Sequence, residues 1–143
     1  MLKRMFPRVL FASALLASGF WMGRTTPGHA DSKNRVFEMR TYTANDGKLE
    51  ALQARFRNHT TKLFKKHGMT NVGYWTPIDE PLSHNTLIYI IAHSNREAAK
   101  KSWDGFRSDP DWKKVQQESE ASGKLVAKVD SVFLEPTDYS AIK

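Results

Sequence analysis

The chain has 143 residues, 26% of them charged, with a formal net charge of +7 and no cysteine. Without cysteine there can be no disulfide, thiol nucleophile, zinc–thiolate site or iron–sulfur cluster. The basic excess suggests nucleic acid as a partner, but its distribution removes that reading.

Lys3, Arg4, Arg8 and Arg24 stand in the first thirty residues without any acid, and all fifteen acids lie from Asp31 onward. Taking these four from the twenty-two basic residues leaves eighteen against fifteen acids, a charge of +3 for residues 31–143, and no nucleic-acid partner is expected. Val9 to Met22 (VLFASALLASGFWM) is a run of fourteen residues without a charge, and Gly28-His29-Ala30 follows with small residues at the minus three and minus one positions. This is the layout of a secretory signal peptide over residues 1–30, cleaved before Asp31. At about 1.5 Å per residue the run spans only about 21 Å of a hydrocarbon core of about 30 Å, so no integral membrane segment is expected after cleavage. A mitochondrial transit peptide is the alternative, but such leaders are amphipathic and Arg-rich, whereas this centre is apolar all round. The expected location is therefore periplasmic or secreted. Residues 31–143 are long enough for one domain with a modest core.

Within that domain, Val36 to Thr43 alternates, with Phe37 and Met39 facing one way and Glu38, Arg40 and Tyr42 the other, which predicts a first strand. Asn45-Asp46-Gly47 turns the chain. Leu49, Leu52, Phe56, Leu63 and Phe64 then recur at helical spacing up to Gly68 and predict an amphipathic helix of twenty residues. Met69 to Thr76 and Asn85 to His93 read as strands of a hairpin, joined by a loop with Pro77, Asp79, Pro81 and Ser83. Ser94, with Glu97 three residues on, predicts the cap of a second helix.

That helix must stop near Ser108, because Asp109 precedes Pro110 and is pushed out of the α region. Asp109 then caps a further helix, in which Pro110 suits the first position and Asp111 complements the dipole, running to Ser122-Gly123. Trp103, Phe106 and Trp112 sit around this corner and are expected to anchor it against a sheet. Leu125 to Glu135 is the last strand.

The order implies an α+β, ferredoxin-like βαββαβ sandwich with a four-stranded antiparallel sheet and helices on one face. Leu87 to Ile91 is apolar at every position, as in a strand buried on both faces, so the helix-free face needs a cover. A second copy of the chain is the simplest, giving a homodimer.

Three segments, EMRTYTANDGKLEAL from Glu38, LFKKHGMTNVGYW from Leu63 and SWDGFRSDPDW from Ser102, together resemble the NIPSNAP domain family. The resemblance covers essentially all of residues 31–143. It implies a dimeric α/β barrel in which two ferredoxin-like sheets face each other. Asp46 departs from the family pattern, which usually has proline before Gly47, and this bears on loop rigidity more than on the fold. The resemblance brings no established reaction. Relatives with the same barrel include cofactor-free monooxygenases, haem-degrading enzymes and isomerases.

Glu38, Arg40 and Tyr42 form a polar stripe. If Lys128 and Asp130 flank it on the last strand, the group could hold a carboxylate or phenolate; the plainer reading is cross-strand ion pairs at the dimer interface. His59 and His67 lie eight residues apart, about 12 Å along a helix, too far to share an ion, and no metal site is expected. His59, on the expected inner edge of the first helix, is the candidate base or haem ligand. His84, in a loop, and His93, at a strand end, are expected to face solvent. Tyr74, Trp75, Tyr89, Trp103, Phe106 and Trp112 could line a pocket for a flat apolar ligand. No HExxH, phosphate loop or serine elbow is present. Three functions follow. The first is an exported homodimer that binds a small apolar or aromatic molecule or a protein partner, with no cofactor. The second is a cofactor-free monooxygenase or isomerase acting on a small aromatic substrate. The third is haem binding.

Overall fold

A computed structural model describes residues 35–143; the leader and the cleavage site before Asp31 lie outside the described residues. The elements are β1 (Val36–Ala44), α1 (Leu49–Arg55), a π-helical turn (Phe56–Thr60), α2 (Thr61–Lys66), β2 (Thr70–Trp75), a 3₁₀ turn (Leu82–His84), β3 (Thr86–His93), α3 (Arg96–Ser108), α4 (Pro110–Ser119) and β4 (Val126–Leu134). All strand pairs are antiparallel in the order β2-β3-β1-β4, which is the ferredoxin-like arrangement expected from the element order.

The first helical stretch is not one regular helix. At the π-helical turn the Thr60 hydroxyl donates to the Arg55 carbonyl, five residues back, at 3.3 Å. The stretch ends in a Schellman motif, with Met69 N donating to Phe64 O and Gly68 N to Lys65 O, and Gly68 takes the left-handed φ of 79° that glycine adopts without strain. The second helix is capped by Asn95, whose side chain accepts from Ala98 N at 2.8 Å, and not by Ser94. Both residues suit a cap, and one position decides which backbone N–H groups stay in reach.

The corner is capped by Asp109 as expected, its carboxylate accepting from Asp111 N at 2.9 Å. Its partners are divided between layers. Trp103 reaches the sheet, whereas Phe106 packs on Phe64 of α2 (ring centroids 5.0 Å) and on half-buried Trp112 (4.4 Å). Asp109 also takes Lys66 Nζ at 2.9 Å and His67 Nε2 at 2.5 Å, tying the end of α2 to the corner. These two bonds hold its carboxyl well below the ordinary range.

Gly105 makes the His67 contact possible, since a Cβ there would stand 2.8 Å from His67 Nδ1. An exposed helical Gly→Ala change normally gains about 1 kcal/mol, and a hydrogen bond to a charged group contributes about 1.5–3 kcal/mol. The second figure is larger, so Gly105→Ala is expected to lose about 0.5–2 kcal/mol in urea denaturation. A variant as stable as its parent means the imidazole turns aside without leaving Asp109.

Helices cover one sheet face. Leu87, Tyr89 and Ile91 of β3 pack beneath them with Leu52, Phe56, Phe64 and Phe106. Ile88 and Ile90 point the other way, opposite Thr41 and Met39 of β1, onto a face that carries no helix. Among the described residues no helix is long and apolar enough to cross a membrane.

Candidate functional site

The stripe Glu38-Arg40-Tyr42 lies beneath the helices. Fully buried Glu38 accepts from Trp103 Nε1 (2.7 Å), Ser131 Oγ (2.7 Å), Arg40 Nη1 (2.8 Å) and His93 Nε2 (3.2 Å). Burial alone raises a carboxyl pKa, but hydrogen bonds from His93, Trp103, Ser131 and Arg40 outweigh it and hold Glu38 at about 2. His93, expected to face solvent, is buried against this carboxylate. Lys128 and Asp130 do not join the group. Arg40 pairs with Ser131 and Tyr42 with Val129, so Lys128 and Asp130 fall on the opposite face and bond each other at 2.8 Å.

Arg40 lies with its guanidinium 4.3 Å from the centre of the Trp103 ring and 5.6 Å from that of Tyr42. Tyr42 in turn meets Tyr89 edge-on at 5.3 Å. Among the described residues, two buried donors here, Arg40 Nε and the Tyr89 hydroxyl, have no protein partner, nor has His93 Nδ1. Burial pushes the Tyr89 hydroxyl well above its ordinary pKa, so it stays protonated and able to donate. The cluster reaches solvent at the Arg40 side chain, which is 18% exposed, below the β4 edge where Val129 is 40% exposed. Arg40, Tyr42, Tyr89 and Trp103 are thus brought together. Sequence reasoning missed His93 and Ser131, which no local pattern singles out.

The other candidates lie elsewhere. Tyr74 and Trp75 border a cleft of about 310 Å³ at the π-helical turn, with Phe56, Arg57 and Thr61. Trp75 is 52% exposed and folds over Gly73, where a Cβ would run into its ring. Trp112 sits at the corner under Arg55, 5.2 Å from the guanidinium. His59 stands exposed on the π-helical turn, not on the inner edge of the helix, because the wide turn rotates it to solvent. A second cleft of about 340 Å³, on the helix-free face, is lined by Phe37, Val72, Ile90, Leu134, Pro136 and Ile142 among others. Among the described residues neither cleft is lined by a histidine. Among the described residues no cluster of three or more His, Asp or Glu side chains is placed to hold a metal.

The antiparallel sheet with helices on one face, and a polar cluster between the layers, define a ferredoxin-like α+β domain of a kind also found in solved oxygenases. Residues 37–141 match the NIPSNAP family, and the chain belongs to it. A NIPSNAP family protein of Agrobacterium tumefaciens is 19% identical with a TM-score of 0.67, over 78% of this chain and 96% of its own. A NIPSNAP-like domain protein of Burkholderia xenovorans is 15% identical with a TM-score of 0.66, over 76% and 90%. SnoaB, a cofactor-independent oxygenase from Streptomyces nogalater, is 11% identical with a TM-score of 0.52, over 76% and 98%. Among curated proteins none matches the chain.

Proposed function

We propose that this NIPSNAP protein is exported as residues 31–143, works as a homodimer, and binds a flat aromatic molecule with an oxygen acceptor against Arg40. The observation that carries the ligand reading is the pair of buried donors, Arg40 Nε and Tyr89 Oη, unpartnered beside the Tyr42 and Trp103 rings. Each buried donor left unmet costs about 1–3 kcal/mol, which an accepting oxygen would recover. Arg40 already faces Glu38, so a carbonyl or phenolic oxygen suits the site as well as a carboxylate. The leader supports export, and the apolar helix-free face supports a second copy as its cover.

Native mass spectrometry of protein from an exporting host tests the reading. The expected species is a dimer of chains beginning at Asp31 that retains a small aromatic molecule. Tyr89→Phe removes the unmet hydroxyl, so it is expected to raise the stability of the ligand-free protein by about 1–3 kcal/mol while releasing that molecule. Retention undiminished in Tyr89→Phe would sink the Arg40 site. A second reading, cofactor-free oxygenation of such a molecule, draws on the likeness in fold to SnoaB. It predicts oxygen consumption with a quinol that survives His59→Ala, since His59 is exposed and apart from the cluster.

A further inference from the structure

Where the π-helical turn faces β2, a cleft of about 310 Å³ opens on the helix side of the sheet. Phe56, Tyr74 and Leu87 give it an apolar floor, and Gln53, Arg57 and Thr61 supply the polar groups of its rim. The turn itself shapes the wall. Phe56 and Thr61 stand five residues apart, which at 3.6 residues per turn sets them about 140° apart on a regular α-helix, yet the wider turn brings both round to the cleft. Trp75 marks the margin. Its ring lies on the helix-free side, over Gly73, because Trp75 pairs with Ile88. Pairing two chains through their helix-free faces therefore leaves this cleft open.

The volume is roughly twice the ~150 Å³ of an apolar cavity able to hold benzene, and stands at the low end of small-molecule sites. Among the described residues Arg57 is the one charged side chain of the lining. Its partner is loose: Glu50 lies 3.7 Å away, and the two side chains are 63% and 80% exposed. An exposed pair of that kind contributes little, so a carboxylate held in the cleft can replace Glu50 with a bidentate pair. The surrounding field has the same sign. From Ala51 to Gly68 the chain carries Arg55, Arg57, Lys62, Lys65 and Lys66 and no acid. The Tyr74 hydroxyl already donates to Asn71 Oδ1 at 2.6 Å, so Tyr74 offers its ring.

We propose that this cleft is a second ligand site, for a small aromatic carboxylate whose ring lies on Phe56 and Leu87 and whose carboxylate pairs with Arg57. It differs in kind from the Arg40 cluster, where buried Glu38 already occupies the guanidinium. It does not rest on the ligand reading above.

The test is NMR of the protein from an exporting host, titrated with 2-naphthoate. Saturable shifts are expected at the Leu87 methyls and the Gln53 side-chain amide, while the Trp103 indole N–H, which donates to Glu38, stays unmoved. The uncharged 2-naphthol is expected to bind at least about tenfold more weakly, since it brings no charge to Arg57. Arg57→Gln, at an exposed position where folding is not at stake, should weaken 2-naphthoate by at least about tenfold. Lys62→Gln removes the same charge from the same helical stretch outside the cleft, and should cost less than about twofold. Equal losses in the two variants would mean attraction by the field alone and overturn the site. Shifts confined to the Trp103 indole would put the probe at Arg40, supporting the earlier reading and overturning this one. Unchanged affinity in Arg57→Gln, or no saturation, also overturns it.

Discussion

Glu38→Ala is expected to cost about 3–5 kcal/mol, a large share of a domain stability of about 5–15 kcal/mol. The loss comes less from the missing contact than from what stays behind. The Trp103 and His93 groups, and with them Arg40, would lose their common acceptor where water is largely excluded, whereas the Ser131 hydroxyl, on an exposed residue, can turn to water. Urea denaturation measures the difference, and a loss below about 1 kcal/mol would mean that these donors find other acceptors. The pH dependence has a definite sign. A pKa lowered from 4.5 to about 2 makes Glu38 stabilising above pH 4.5, by about 3 kcal/mol, and that contribution disappears as pH falls toward 2. Asp109, also lowered, adds to acid sensitivity in the same direction. The difference between the parent and Glu38→Gln therefore isolates the Glu38 share, and it should shrink steadily between pH 4.5 and 2.

Assembly supplies the second large effect. Ile88→Lys is expected to convert the proposed dimer into folded monomer, with association weakened at least a hundredfold. Ile88 faces away from the helices, between Thr41 of β1 and Trp75 of β2, so the substitution leaves the core beneath the helices untouched. In a face-to-face pair it would bury an ammonium among Met39, Ile90 and Val132, while Asp130, across Thr41 in the same row, is already held by Lys128. Sedimentation velocity across a concentration series reads the outcome. A parent that is monomeric throughout removes the dimer from the proposal, and a dimeric variant moves the interface to another surface.

Much of the fold was legible because its signals are local. Alternation in β1, the Asp109-Pro110 stop and start, and the glycine after α2 each act within a few residues, and all stand where expected. The Ser94 cap failed by one position for the same reason, since Ser94 and Asn95 are locally equivalent. The site was legible only in part. The alternation put Glu38, Arg40 and Tyr42 on one face, but which residues oppose them depends on strand pairing. β4 shifts register against β1 at Thr43/Ala44, and a shift of one residue exchanges the faces, bringing Ser131 to Arg40 in place of Lys128 and Asp130. His93 and Trp103 meet Glu38 from 55 and 65 residues away, and their chemistry exists only once sheet and helix are packed. The π-helical turn was hidden because residues four and five apart both stay on the buried side, as Arg55, Phe56 and Thr60 do.

β4 closes one margin of the sheet, with no neighbouring strand beyond it among the described residues, and Val129, Val132 and Leu134 are all exposed. A free edge with an unbroken apolar row is a template on which further chains can add without limit. The Lys128–Asp130 pair interrupts that row on the helix-free side. Adding a strand there would strip water from both charges, a penalty that a closed pair leaving this margin at its rim avoids. The same two residues that contribute nothing to the buried cluster thus favour a finite assembly over an endless one.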